Sequence, residues 1–408
     1  MKIRTLIDQE LLHETIYVRI TWFEHMIVKE NLVAKQGDRE ANVTDVTRRV
    51  TVIQPALPAY RLDFFDRVAD QLGAGFSVYA TPGDLGVLTE AVTPRTWSRH
   101  LGRMQPLVPG AAWQRGALAI PIARGDVLVI SGAPRCLSNV VLLLRARWCG
   151  ARTVWWSHLW SATSRRHRYL VRLLLMRLAD ALLFYTDEEV ETYSKGQGQH
   201  NLRPVAALNN GINIDPILPL RSAYDPVTRG LRILFIGRLT PKAELDILLR
   251  ALARSELSAA TLDVIGDGSE GARLQTLARE LDLESRVIWH GGTTDETRIS
   301  EIANQCAVFC YPGGVGLSLI HAMAYGLPAV VHNHRPTHMP EIAAFQPGIT
   351  GASFAKGNEA ALSGQLGTLL GNPVALTSMS AKARERVELL YNTRMMAERF
   401  CTLVEKLK

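Results

Sequence analysis

Tyr311-Pro312-Gly313-Gly314-Val315-Gly316-Leu317-Ser318-Leu319-Ile320-His321-Ala322-Met323 changes periodicity in mid-course. Residues 307–311 form a short continuous apolar run of buried-strand length, and 317–325 carry helical spacing. The glycines between them leave N–H groups free at the start of the helix, aimed along its dipole, and that arrangement holds an anion. Close helix-to-strand contact selects glycine as well.

Outward from this unit the pattern repeats. A strand is expected at 329–332 downstream, and upstream lie strands at 232–236, 261–265 and 286–290 separated by helices at 245–253 and 271–282. Strands alternating with helices imply a parallel sheet covered on both faces. A second series precedes it: strands at 50–53, 76–80, 126–130, 153–156 and 181–185, with helices at 62–72, 139–149 and 165–179. Between the two series, Asn209-Asn210-Gly211 offers the positive φ of a sharp turn, followed by Pro216, Pro219 and Pro226, which marks a domain boundary. The division is therefore an amphipathic helix and polar linker over 1–49, a first Rossmann-like domain over 50–215 and a second over 216–385. One long amphipathic helix over 379–408, with 386–408 beyond the second domain, has a tail free to pack back on the first. Two doubly wound parallel sheets facing each other leave a cleft at the C-terminal ends of their strands, where ligands of this architecture bind.

The chain has 408 residues, of which 47% are hydrophobic, 21% charged and 7% aromatic. These values fit two globular domains and exclude a disordered, collagenous or disulfide-framework protein. Cys136, Cys149, Cys306, Cys310 and Cys401 form no CxxC, so free thiols in the cytoplasm are expected. Asp8, Glu10 and His13 interrupt what would be a signal h-region, and Arg172, Arg177 and Asp180 interrupt the most apolar stretch, so neither a secretion signal nor a membrane span is read. A net charge of +7 favours acidic partners without choosing among substrate phosphates, anionic lipid and nucleic acid.

Several residues can carry chemistry. Gly237, at the end of a strand, is followed by Arg238 and Lys242: glycine lets the backbone approach a phosphate, Arg238 can grip it with two donors, and Lys242 adds a point charge. Solvated cations would look the same. Ile265-Gly266-Asp267-Gly268 is a glycine turn that βα geometry alone can also require. His158 lies just past a strand end, where a cleft imidazole can exchange a proton with a hydroxyl and where a core or capping role competes. Arg165, Arg166, Arg168 and Arg172 line a helix whose other face is Leu170, Leu173, Leu174 and Leu178. That helix suits either an anionic membrane surface or a buried position with a solvated basic side. No P-loop, G-x-S-x-G, H-E-x-x-H or D-x-D is present, so metal-independent chemistry is expected.

From about residue 231 to 351 the sequence resembles the retaining GT-B glycosyltransferases of family 4, or "group 1". The resemblance rests on Gly237-Arg238-Leu239, Ile265-Gly266-Asp267-Gly268, Gly314-Val315-Gly316-Leu317, Ala322-Met323-Ala324-Tyr325-Gly326-Leu327-Pro328 and Pro340-Glu341-Ile342 in the family's order. Tyr60-Arg61 with Phe64-Phe65 resembles the acceptor-side first loop of bacterial polysaccharide members. The resemblance implies a GT-B fold and transfer of a sugar, with retention, from a nucleotide diphosphate to a lipid-linked or growing surface-polysaccharide hydroxyl at the inner face of the cytoplasmic membrane. No cofactor is implied, and nucleic acid is not an expected partner. It also implies that Arg238 and a nearby lysine bind the diphosphate and that amides at Gly316 and Leu317 reach its phosphates. Residues 290–292, including His290 and Gly291, would border the base, with Gly237, Gly266, Gly314, Ser318 and His321 completing the donor site. Tyr60 and Arg61 are assigned to the acceptor, and His158, Arg238 and Lys242 to catalysis.

Three positions depart from the family pattern. Its E-x7-E motif falls on Gly313 and His321, and its lysine falls on Ala243, one place after Lys242. These departures keep two alternatives open: a catalytically weak GT-B protein serving as a partner or glycan-binding subunit, and a sugar-nucleotide epimerase.

Overall fold

The computed structural model describes residues 48–81, 95–159, 166–197 and 203–407. The expected helix at 5–30 and the linker up to residue 47 lie outside them. Arg49, at the end of that linker, pairs with Asp126 at 2.8 Å and is part of the first domain.

The first domain runs β1 (Val50–Ala56), α1 (Leu62–Leu72), β2 (Phe76–Thr81), β3 (Ser98–His100), a hairpin of β4 (Met104–Val108) and β5 (Ala111–Gln114), and β6 (Val127–Ser131). It continues through α2 (Leu137–Trp148), β7 (Arg152–Trp156), α3 (Arg166–Leu178), β8 (Ala181–Phe184), α4 (Asp187–Gln197) and β9 (Val205–Ala207). Its parallel sheet has the order β3-β2-β1-β6-β7-β8-β9. Val127 and Val129 point into one core and Leu128 and Ile130 into the other, so the uninterrupted apolar strands serve two buried faces.

The second domain contains β10 (Arg232–Ile236), α5 (Leu245–Leu252), β11 (Thr261–Ile265), α6 (Gly271–Glu280), β12 (Val287–Gly291), α7 (Glu296–Ala303) and β13 (Val308–Tyr311). Next come α8 (Leu317–Ala324), β14 (Ala329–His332), β15 (Gly351–Phe354), α9 (Glu359–Leu370) and α10 (Pro373–Leu390). All its strands are parallel, in the order β12-β11-β10-β13-β14-β15. In each sheet the chain first winds one way from its opening strand and then returns to wind the other way. The resulting switch points lie between β1 and β6 and between β10 and β13.

The single long helix expected over 379–408 is two helices. Asn392 ends the first and caps the second, α11 (Thr393–Glu405), by accepting from the Met395 N–H at 3.0 Å while its amide donates to Glu388 O at 2.8 Å. The apolar period survives the break, which is why it is invisible to periodicity. α11 crosses to the first domain and closes one of its two cores with Met396, Phe400, Leu403 and Val404. Phe400 meets Phe64 edge-on at 5.8 Å and is 1% exposed. Phe400→Ala is expected to cost about 3–5 kcal/mol in urea unfolding of the full chain. A loss below about 1 kcal/mol would mean that α11 is an accessory.

The boundary turn also differs from expectation. The positive φ falls on Asn209, at 53°, and not on Gly211. Gly211 is needed for proximity instead: a Cβ there would lie 2.3 Å from Tyr391 C and O. The outgoing segment at 211–212 and the returning segment at 391–392 thus run side by side, tied by Thr393 N–H to Ile212 O at 3.1 Å.

Helix α3 is rotated from its expected orientation, with Leu173 and Leu178 of the expected apolar face still packed on the core. Leu170 and Leu174 are 58% and 59% exposed, whereas Leu175 and Met176 are buried. Arg172, expected on a membrane-facing side, points inward, its Nε and Nη1 buried without a hydrogen-bond partner. Burial depresses its pKa against the opposing pull of Glu189. With leucines on nearly every side, the helix is oriented by packing alone. Arg165 and the side chains of Arg166 and Arg168 lie outside the described residues.

Candidate functional site

The second switch point gathers most of the residues expected at the donor site. Gly237 and Arg238 follow β10, and the glycine segment follows β13. A Cβ on Gly237 would lie 2.9 Å from the Tyr311 ring and 3.4 Å from Ser318 Oγ, so these three residues meet. Burial pushes the Tyr311 hydroxyl up, and the nearby Arg238 charge pulls it back. Arg238 and Lys242 are both exposed, and neither is paired with a carboxylate among the described residues. Gly316 is the N-cap of α8 and supplies no capping side chain, so the amides of Leu317 and Ser318 open the helix toward the cleft. Gly266 adjoins the same place, its missing Cβ space filled by Gly237 O.

The two departures Gly313 and Ala243 have one cause. A Cβ on Gly313 would stand 2.1 Å from Lys242 O and 2.7 Å from Ala243 C, and Gly314 N–H donates to Lys242 O at 3.2 Å. The 242–243 backbone occupies the space where a side chain at 313 would begin, and Ala243 is fully buried. On the other side, Val315 N–H donates to His338 Nδ1 at 3.2 Å, while His338 Nε2 donates to His332 O at 2.9 Å. The segment 332–339 therefore clips the glycine segment in place through a neutral histidine.

His332, 1% exposed, stacks on His338 with centroids 3.8 Å apart. Burial first, then the neighbouring His338, Lys356 and His334, lower its pKa to about 4. Because the folded pKa lies below the unfolded value, its contribution to stability is complete above about pH 6.5 and is lost as pH falls toward 4. Allowing for screening, at most about 2 kcal/mol should disappear over that window. His332→Asn should flatten the slope of the urea midpoint between pH 6.5 and 4, and an unchanged slope would assign the loss elsewhere.

Two expected donor residues are engaged internally. His290 was expected to border the base, but its Nε2 lies 2.8 Å from the Oδ1 of fully buried Asp263, which also pairs with Arg232. Its imidazole thus serves the sheet, leaving Gly291 and Gly292 at that edge, where Gly292 N–H donates to Asp267 Oδ2 at 2.6 Å. His321 Nε2 lies 2.8 Å from Glu296 Oε1, and the Tyr325 hydroxyl donates to the same oxygen at 2.5 Å. Burial alone would raise the Glu296 carboxyl, but these two partners hold it below the usual range.

The first switch point faces this site. His158, after β7, stacks on Tyr185 at 4.1 Å, and its Nδ1 lies 3.3 Å from Glu189 Oε1. A carboxylate only accepts, so Nδ1 carries a proton directed at Glu189. Glu189 also accepts from the N–H groups of Leu159, Tyr185 and Thr186, tying two strand-end loops together. Arg61, after β1, is buried over Trp156 at 5.0 Å, and Tyr60 beside it is 46% exposed. Across the cleft, Glu341 engages Asn210 of the interdomain turn. Burial raises its pKa, opposed by Asn210 and Arg61. Sequence reasoning quoted Glu341 without a role and missed Glu189. A lone carboxylate before Ile342-Ala343-Ala344 was the available signal for Glu341.

Two facing Rossmann-like domains, each with a switch point at its strand ends, form the GT-B architecture. Residues 221–386 match the family described as Glycosyl transferases group 1, which places a group 1 domain in the second half of the chain. The chain is 29% identical over 183 residues to the lipopolysaccharide 1,6-galactosyltransferase of Salmonella typhimurium, covering 42% of this chain and 49% of that one. It is 26% identical over 194 residues to the amylovoran biosynthesis glycosyltransferase AmsK of Erwinia amylovora, covering 45% and 46%. The chain thus spans about half the length of these curated relatives. The Anabaena protein Alr3699/HepE, solved in complex with UDP, shares the fold with a TM-score of 0.64 at 15% identity, over 88% of this chain and all of that one.

Proposed function

We propose that the protein is a metal-independent glycosyltransferase that moves a sugar, with retention, from a nucleoside diphosphate donor to a lipid-linked or growing surface-polysaccharide hydroxyl. The observation that carries this reading is the opposition of the two switch points, with Arg238 and Lys242, unpaired among the described residues, beside the α8 N-terminus on one side and His158 on the other. The bond from the anomeric carbon to the diphosphate oxygen breaks as the acceptor oxygen bonds to that carbon, and the acceptor proton passes to the leaving phosphate. Negative charge grows on that phosphate, and the two cations and the helix amides stabilise it more as the bond breaks than before. Glu189 holds His158 at the mouth of the acceptor side, with Tyr60 and Arg61 adjacent. Galactose transfer to lipopolysaccharide and amylovoran synthesis by the relatives support an envelope glycan as acceptor.

Among the described residues no helix is long and apolar enough to cross a membrane. Neighbouring helices α2 and α3 nevertheless expose Leu144, Trp148, Leu170, Val171 and Leu174, with Trp148 at 92%. Exposed Arg147 and Arg177 lie on the same helices, which suits a peripheral site on an anionic bilayer. The Trp148→Glu variant is expected to reduce sedimentation with phosphatidylglycerol-containing vesicles about tenfold. Equal sedimentation would leave the acceptor reading without membrane attachment.

Thermal unfolding with millimolar UDP, GDP, dTDP and ADP, each with and without EDTA, tests the donor reading. A nucleotide at about 100 times its dissociation constant adds about 2.7 kcal/mol. Selective stabilisation by one nucleotide, indifferent to EDTA, is expected. Gly313 and Ala243, which place no functional side chain beside Lys242, favour a second reading as a catalytically silent partner subunit, and no stabilisation by any nucleotide would select it.

A further inference from the structure

Glu341 and Arg61 are 4% and 8% exposed, and each keeps one polar atom without a hydrogen-bond partner. Asn210 engages Glu341 Oε1, while Oε2 is unmatched and lies 3.7 Å from where a Cβ on Gly316 would stand, beside the start of α8. The Arg61 guanidinium is held by the rings of Trp156, Tyr60 and Tyr185, at 5.0, 5.6 and 5.9 Å, and its Nη1 is unmatched. The two residues come from different domains, Glu341 beside the start of α8 and Arg61 against Trp156 at the end of β7. Leaving such buried groups without a partner is unfavourable.

A ligand that satisfies both must accept from a guanidinium N–H and, with Glu341 ionised, donate to a carboxyl oxygen. Hydroxyls do both; a phosphate or carboxylate only accepts and would meet the charge of an ionised Glu341, and an ammonium only donates and would meet Arg61. Beside the helix start that receives the diphosphate, the hydroxyls are those carried by the sugar attached to it. We propose that Glu341 and Arg61, one from each domain, hold hydroxyls of the donor hexose and thereby select which sugar is transferred. This rests on the glycosyltransferase reading and adds a sugar-selecting pair to it, with Arg61 facing the donor as well as the acceptor side.

The test compares binding of UDP, GDP, dTDP and ADP with binding of UDP-glucose, UDP-galactose, GDP-mannose, dTDP-glucose and ADP-glucose. Calorimetry is run on the full chain, on Glu341→Gln and on Arg61→Lys. In the wild type, a hexose is expected to raise the affinity of its nucleotide about tenfold, the worth of one well-made polar contact. Both variants should keep nucleotide affinity within about threefold and lose most of the hexose gain, which a purely structural role would not produce. Should Glu341→Gln unfold, Arg61→Lys carries the test alone, because it leaves the Asn210 contact in place. An equal hexose gain in wild type and variants, or nucleotide binding with no gain from any hexose, overturns the pair. Failure of every nucleotide to bind the wild type refutes the glycosyltransferase reading instead.

Discussion

Arg238→Ala lowers turnover by about two to three orders of magnitude while leaving the unfolding temperature of the ligand-free protein almost unchanged. Both halves of this expectation follow from its surroundings. The side chain is exposed and has no carboxylate partner among the described residues, so its removal leaves no group unsatisfied and stability should shift by less than about 0.5 kcal/mol. In the proposed reaction its value appears only when the diphosphate leaves, as charge develops next to Tyr311 and the open end of α8. Arg238→Lys should recover part of the rate, because the charge returns without the paired donors. Full transfer activity in Arg238→Ala, measured as nucleotide release, would remove Arg238 from the site.

Gly313→Ala has the opposite signature, in that the fold fails first. The added carbon would lie 2.1 Å from Lys242 O and 2.8 Å from Ala243 O, both backbone atoms that cannot swing aside. Overpacking of this kind costs about 3 kcal/mol, which lowers the unfolding temperature by roughly 10 °C for a domain of this size. Nucleotide stabilisation should vanish as well, since moving the 242–243 backbone displaces Lys242 and breaks its contact with Gly314 N–H. Gly313→Glu, which restores the family carboxylate in sequence, should fare no better. An unperturbed Gly313→Ala protein that binds nucleotide normally would show that the close approach does not exist.

The alternation of apolar runs with helical spacing was enough to read both sheets, because parallel strands buried on two faces carry little else. Other elements left no such trace. α4 opens with Asp187-Glu188-Glu189 and is too polar for periodicity to register, yet it supplies the carboxylate that holds His158. The β4–β5 hairpin, with Pro106 inside it, lacks the alternation that marks a strand. In α3 the run Leu173-Leu174-Leu175-Met176 is apolar on every side, so spacing could not tell which leucines face inward. At the site, the glycines and cations after β10 and β13 were legible because they follow strand ends in order. The partners of His290 and His321 were not, since Asp263 and Glu296 are distant in sequence and meet them only through the sheet and through α7. Glu341 was visible as a letter but not as an open valence, which needs Arg61 and Asn210 placed around it.

The return of α11 to the first domain reverses the order in which the molecule can be finished during synthesis. The ribosome delivers β1 through β9 before any of the second domain, yet the apolar face carrying Phe64 and Phe76 receives Phe400 and Val404 only after β10 through α10 have emerged. At about ten residues per second that face waits roughly half a minute. The domain made first is therefore the domain completed last, and a nascent chain stalled within the second domain carries an incompletely covered core, a natural target for chaperones.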